Sequence, residues 1–389
     1  MSNRILIISP ECSSFKKGYQ IICHQLLQFL KKKCVVDFVS SVYFSDKYFA
    51  KTDNHKKKQN LYIFKYNKLK RISNLLTFSI ANEPVENLFY KSNQIKRKVA
   101  DLLLKNKYKC IICILTRSVQ YLPKFAKYPV ICIAVDPIFS NYKTLAKKST
   151  CLKKFVYYFE ALKILLYEKK IDYKIKNKYY VSFKDVEICK KKYGFLNSQY
   201  LGYGVTIPKK IISFENRKPL SLIFSGNLSY PPNEISIKRF VFDCMPIIKE
   251  RNSKVCLYIV GRNPSQKIIN LQNSNIKVFS NVTCIYSYLQ KALVSICPLF
   301  TSTGVQTKIL EAFACGTPVI ASKAAANGLF CKNNLDIKIY DNTHQLVEYI
   351  FWLFEKKNWE KISSNARKYV KNNHKWSSVF SRIKELNTI

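Results

Sequence analysis

Apolar residues along this chain come in short continuous runs, separated by stretches with helical spacing. In the first half the runs are Ile5–Ser9, Val35–Val39, Cys110–Leu115, Val130–Val135 and Tyr179–Ser182. Runs this short, apolar on both alternating faces, are the pattern of strands buried in a parallel sheet. A polar loop, Glu11–Gly18, follows the first run. A helix is then predicted over about Tyr19–Lys32, because Ile22, Leu26, Phe29 and Leu30 recur at helical spacing. A second helix covers about Asn93–Lys105, and residues 151–175 form a long basic one. Residues 51–71 are polar and Lys-rich and read as an exposed excursion.

Residues 206–219 carry no clear period and read as an interdomain linker. A second alternating series follows. Its strands are predicted at Leu220–Ser225, Val255–Val260, Ile276–Phe279, Leu293–Cys297 and Pro318–Ala321, with further helix over 344–388. Two successive α/β series imply two Rossmann-like domains facing a central cleft. The division is residues 1–207, residues 208–365 and a final helical segment, 366–389.

Composition adds one strong feature, a formal charge of +42. By itself that charge points to nucleic acid, an anionic membrane or phosphorylated ligands. Lys greatly outnumbers Arg, Ile, Asn, Tyr and Phe are abundant, and Gly is scarce at 9. Drift of the whole composition accounts for the charge first, a membrane-facing basic surface second and nucleic acid third. No apolar run reaches the roughly 18 residues of a bilayer span. The opening run is too short for the core of a signal peptide, so a cytoplasmic protein is expected. The 14 Cys sit mostly in apolar stretches and read as small core residues of a reducing compartment. The pair Cys110/Cys113 has CxxC spacing but lies inside a predicted strand, where positions three apart face opposite sides.

In open parallel sheets, ligands bind beyond the carboxyl ends of the strands. Three predicted strands of the second half end in turns that hold glycine or polar residues. These are Ser225-Gly226-Asn227, Gly261-Arg262-Asn263-Pro264, and Pro298-Leu299 leading to Thr301-Ser302-Thr303-Gly304. The stretch from Thr303 to Ser322 reads as loop, helix, glycine stop and strand. A helix beginning near Gly304, followed by Val305 and Gln306, would present free N–H groups and a positive dipole end suited to a pyrophosphate. Lys308, about one turn in, adds a full charge. Glu311, three residues on, shares its face and can accept hydrogen bonds from a vicinal diol such as a ribose. Phosphate donors and a diol acceptor on one face describe a nucleotide-diphosphate site. A solvated Lys–Glu pair on a helix surface would carry the same two residues.

Gly304 through Pro318, with Glu311-Ala312 and Gly316-Thr317-Pro318, resembles the donor signature of family 4 glycosyltransferases. Ser225 to Asn233, Val260 to Pro264 and Ala324-Ala325-Ala326-Asn327-Gly328 are similar to the loops of bacterial exopolysaccharide and capsule sugar transferases. Lys17-Gly18, Arg117 with Tyr121, Val135-Asp136 and Tyr167-Glu168 match more loosely. The resemblance implies a GT-B fold and transfer of a sugar from a nucleotide-diphosphate donor to a glycan or lipid-linked acceptor, with retention, in surface polysaccharide synthesis. It implies that Glu311 binds the donor ribose and that Lys308 and Arg262 neutralise the diphosphate. The loops holding Gly226, Asn227, Gly261, Gly304, Val305 and Gln306 then lie on the donor. Gly18, Arg117 and Asp136 face the cleft from the acceptor side, and Asp136 is a candidate for positioning the acceptor or capping its strand. Trp376 belongs to a final helix crossing back onto the first domain.

Two departures from the family pattern are plain. Thr303 stands where the family places another Glu, and none of His24, His55, His344 and His374 fits the usual first-domain His. No Asp-x-Asp occurs, so neither a metal nor another cofactor is expected, and positive side chains take the metal's place. The basic helix, mixing Lys with aromatics, suits an anionic membrane surface or a packed helix with a solvated Lys face. Two other classes stay open. A nucleotide-sugar epimerase of the same fold would need more acid/base residues than this chain offers. A basic nucleic-acid binder would need a recognition motif that is not seen, so no specific nucleic-acid partner is expected.

Overall fold

The computed structural model describes residues 3–12, 18–43, 59–66, 68–75, 83–124, 127–301 and 304–387. The chain forms two compact units, Met1–Gly202 with Phe380–Ile389, and Tyr203–Val379. The division therefore falls at 202/203 rather than 207/208, and the return to the first unit begins at 380 rather than 366.

The first unit is built on seven strands: β1 (Arg4–Ile8), β2 (Val35–Tyr43), β3 (Gln59–Tyr66), β4 (Cys110–Ile114), β5 (Val130–Val135), β6 (Asn177–Tyr180) and β7 (Ser198–Tyr200). Their order is β3-β2-β1-β4-β5-β6-β7, with every neighbouring pair parallel. Every residue of β4 is buried, as are Ile5 to Ile8 in β1, which is why these segments are apolar throughout. Cys110 and Cys113 are both buried in β4, and burial pushes the Cys110 thiol up to about 12. They are core residues.

The supposed excursion over 51–71 is corrected. Among its described residues, 59–66 form edge strand β3, in register with β2 from Val36↔Gln59 to Tyr43↔Tyr66. A helix follows at Lys68–Leu75, and its Arg71 is buried against Glu11, 3.3 Å away. An edge strand needs only one apolar face, here Tyr62 and Phe64 against the core, and these two were hidden among lysines and polar residues. Short β7 was missed for a similar reason. The chain's last segment rejoins this unit. Phe380 packs on Phe29 at 5.5 Å, Arg382 donates to the Leu201 carbonyl at 2.6 Å, and Asn177 donates to Glu385.

The second unit holds six strands: β8 (Ser221–Asn227), β9 (Cys256–Arg262), β10 (Ile276–Ser280), β11 (Val294–Cys297), β12 (Val319–Ser322) and β13 (Lys338–Tyr340). Their order is β10-β9-β8-β11-β12-β13, again all parallel. Each sheet reverses direction of growth beside its first strand, at β1/β4 and at β8/β11. Such switch points open a crevice at the carboxyl ends of the strands. Trp376 lies in this second unit, where its ring stacks on Tyr203 at 5.4 Å. Its helix, Trp376–Phe380, ends at the residue where the chain rejoins the first unit, so the expected crossing is made by this short helix and the segment after it.

The linker reading of 206–219 is also corrected, because Arg217 is buried and holds the second unit together. It donates to the carbonyls of Ile212 (3.1 Å), Leu289 (3.2 Å), Ala292 (2.8 Å) and Cys315 (2.9 Å), and to Thr317 Oγ1 (2.9 Å). Its guanidinium also lies 4.7 Å over the Trp359 ring. Burial lowers its pKa to about 10, still charged at neutral pH. Arg217→Met strands several carbonyls without donors, and each costs about 1–3 kcal/mol. We expect urea unfolding to show a loss of about 3 kcal/mol or more.

Candidate functional site

The crevice at β8/β11 gathers most of the expected donor residues. β8 ends in Gly226-Asn227 and pairs with the end of β9 through Gly226↔Gly261 and Asn227↔Arg262. The backbones approach so closely that a Cβ on Gly261 would overlap the Gly226 carbonyl oxygen. Only glycine fits there.

From the other side of the switch point, β11 leads by a loop ending at Gln306 into the helix Thr307–Ala314. The helix thus begins later than expected. Gly304 sits ahead of it with φ +67°, a left-handed conformation that cannot start a right-handed helix. Gly304 and Val305 are loop residues, Val305 packing against the apolar core. Lys308 is the second residue of the helix, not one turn in. First-turn N–H groups have no intrahelical partner, so charge and free donors coincide at this end. Thr303 and Lys17 lie outside the described residues.

Lys308 folds back over β8. Its Nζ donates to Asn233 Oδ1 at 2.7 Å and stands 4.4 Å from the Phe224 ring. A Cβ on Gly226 would fall 3.1 Å from that Nζ and 3.0 Å from Asn233 Nδ2, so the missing side chain makes the lysine's berth. Burial pushes the Lys308 pKa down, partly offset by Cys297 and Glu311. Asn233 is fixed in turn by donating to the Asn227 carbonyl at 2.8 Å.

Glu311 lies on the same helix face. Burial raises its carboxyl to about 7, against the downward pull of Lys308 and then Arg262. It is near enough to Tyr203 and Tyr286 to help raise both phenols, after burial. Arg262 is exposed at the tip of β9. Two cations, a helix N-terminus and a carboxylate poised near neutrality therefore share one strand-end crevice. Sequence reasoning missed Asn233, Tyr203 and Tyr286. Asn233 was legible only as the residue directly after the two prolines that open the helix Pro231–Arg239. Nothing in their local sequence marked the tyrosines.

The acceptor-side candidates all lie in the first unit. Gly18 is the exposed first residue of the helix Gly18–Leu30, with open space where a Cβ would stand. Arg117 and Asp136 follow the carboxyl ends of neighbouring strands β4 and β5. Each comes within two residues of a non-glycine residue with positive φ, Leu115 at φ 66° and Val135 at φ 72°. Such strain persists where the surroundings enforce it, and it gathers at functional sites. Arg117 pairs with Glu86 at 2.7 Å and lies 4.8 Å over the Tyr90 ring. Burial raises Asp136, and burial together with the Asp136 charge lifts Asp185 to about 7. Among the described residues no three His, Cys, Asp or Glu come together as a metal-ligating group.

Residues 219–356 match the family model described as Glycosyl transferases group 1. No curated protein sequence matches the chain. Solved structures do. HepE of Anabaena, in complex with UDP-glucose, aligns at TM-score 0.64 and 13% identity, covering 99% of this chain and 100% of its own. Sucrose-phosphate synthase from Thermosynechococcus elongatus aligns at TM-score 0.67 and 15% identity, covering 99% and 98%. WaaG, a glycosyltransferase involved in lipopolysaccharide biosynthesis, aligns at TM-score 0.64 and 13% identity, covering 97% and 98%. At such identities the likeness establishes the fold. It is α/β, of the GT-B type.

The raised Glu311 sets a sign for stability against pH. The carboxyl holds its proton to about 7 when folded but only to 4.5 when free. The folded state therefore binds the extra proton between these values, and this group's contribution to stability falls as pH rises through that window. Paired melts at pH 5 and pH 8 should show Glu311→Gln gaining on the parent protein at pH 8. An unchanged difference would place Glu311 outside a desolvated site.

Proposed function

We propose that this protein is a glycosyltransferase that takes a sugar from a nucleoside-diphosphate donor held by the second unit. The observation that carries the reading is Lys308 and Glu311 on one face of a helix whose N-terminus meets the β8/β11 crevice. A diphosphate entering there meets Lys308, the first-turn N–H groups and Arg262, while the ribose diol donates to Glu311. The match of 219–356 to Glycosyl transferases group 1 supports the same assignment. HepE's complex with UDP-glucose makes uridine nucleotides the first donors to test.

In this reading the anomeric C–O bond to the diphosphate breaks, an acceptor hydroxyl oxygen bonds to that carbon, and the hydroxyl proton passes to the departing diphosphate oxygen. The developing negative charge falls on Lys308, Arg262 and the helix end, so catalysis is chiefly leaving-group stabilisation without a metal. Retention of configuration belongs to the proposal, as does a glycan or lipid-linked acceptor held through Gly18, Arg117 and Asp136. So does a place in surface polysaccharide assembly, which the role of WaaG supports. Lys308 must exchange Asn233 for phosphate, so the asparagine acts as its resting partner.

Calorimetry with uridine- and guanosine-diphosphate sugars tests the reading. One donor should bind saturably at one site. Glu311→Ala and Lys308→Met should each weaken binding at least tenfold, about 1.4 kcal/mol. Unchanged affinity in Glu311→Ala would remove that residue from the site. Absence of binding across the panel would sink the donor assignment. A free epimer of the donor sugar as product, with no transfer, would replace the transferase reading with epimerisation.

Donor binding should also tighten as pH rises from 6 to 8, because the ionised Glu311 accepts both diol hydrogens. Titrations across that range should lose this trend in Glu311→Gln.

A further inference from the structure

The helix Cys151–Lys174 of the first unit is inside out in its polarity. It runs for 24 residues, about 36 Å at 1.5 Å per residue. Its buried face carries all its carboxylates. Glu160 accepts from the Val85 N–H at 2.6 Å, Glu168 from the Ile138 N–H at 3.2 Å, and Asp172 pairs with buried Lys178 at 2.8 Å. Its opposite face carries Leu152, Phe155, Phe159, Leu162, Leu166 and Tyr173, each between 52% and 91% exposed. Their spacing of three, four and seven places them in one stripe along the whole helix. Lys169, Lys170 and Lys174 are exposed beside it, Lys153 and Lys154 are exposed farther round the helix, and no acidic residue shares the outward face.

A continuous apolar stripe of this length on a free surface marks an interaction site. The charges select its occupant. A second copy laid on the stripe would set lysine against lysine with no carboxylate in reach. A nucleic acid would meet the lysines but leave the Phe and Leu side chains uncovered. An anionic lipid surface satisfies both, taking the apolar side chains between headgroups and the ammonium groups among lipid phosphates. No helix among the described residues is long and apolar enough to cross a membrane, so contact through this helix is lateral.

We propose that this helix docks the protein in the plane of an anionic membrane. The inference does not depend on the donor assignment, because it rests on the surface of the first unit alone.

The test is flotation of the full chain with vesicles of phosphatidylcholine, with or without phosphatidylglycerol, at physiological ionic strength. The protein should float with the mixed vesicles and stay behind with phosphatidylcholine alone. Phe155→Ser/Phe159→Ser/Leu166→Ser should cut the bound fraction at least tenfold. Lys169→Glu/Lys170→Glu should cut it by about 25-fold or more, from about fivefold per lysine. All five positions are exposed, so circular dichroism and melting temperature should not change. Two results overturn the proposal. One is binding to mixed vesicles that survives both variants. The other is failure of the parent protein to float, above all if it elutes as a dimer that the serine variant dissociates.

Discussion

Three successive carbonyls at the end of one helix hold the second unit's site in place. The helix Thr307–Ala314 ends at Ala314, Cys315 and Gly316. Their oxygens accept from Arg367, from Arg217 at 2.9 Å and from Ser363 at 2.7 Å. Two arginines thus sit at the negative end of the helix dipole, where cations are most favourable. Arg217 also caps the helix Ile285–Lys291 through Leu289 and Ala292. With one end clamped from three directions, the other end, bearing Lys308, has little freedom to wander from β8. Preorganisation of this kind lets fixed dipoles and charges stabilise a phosphate without reorganising around it.

The parallel cores were legible because strands buried on both faces write themselves as continuous apolar runs. Ile5–Ile8, Cys110–Ile114 and Leu222–Phe224 needed no context to be read. Elements buried on one face were not legible in the same way. β3 exposes Asn60 and its one lysine, Lys65, and the segment around Arg217 had no period because its one helical turn, Phe214–Asn216, is too short to show one. A buried arginine without a carboxylate partner looks like any surface arginine in sequence. Its role emerges only when four acceptors from distant segments, and one from its own, converge on it.

The site was legible in part for the same physical reason. Glycines at strand ends and a Lys–Glu pair three apart on a helix are local patterns. What Lys308 touches is not local, since Asn233 and Phe224 lie far from it in sequence and meet it through the β8/β11 switch. The helix starts at Thr307, three residues beyond Gly304, where the sequence predicts it to begin. The left-handed backbone of Gly304 instead turns the loop, and the carbonyl of Gly304 packs against Gly328, where a Cβ would collide with it. Likewise the Lys-rich Cys151–Lys174 helix could be found by composition, but which face held the carboxylates could not.

The first unit is discontinuous in the chain, and that orders its biogenesis. Residues 203–379 are contiguous and hold everything the second unit packs. They can fold as soon as they leave the ribosome, while the first unit still lacks its final strap. Phe380, Arg382 and Glu385, which close against Phe29, Leu201 and Asn177, are made after the whole of the second unit. Until then the earlier-made sheet must wait with that flank open, so the half synthesised first is the half completed last.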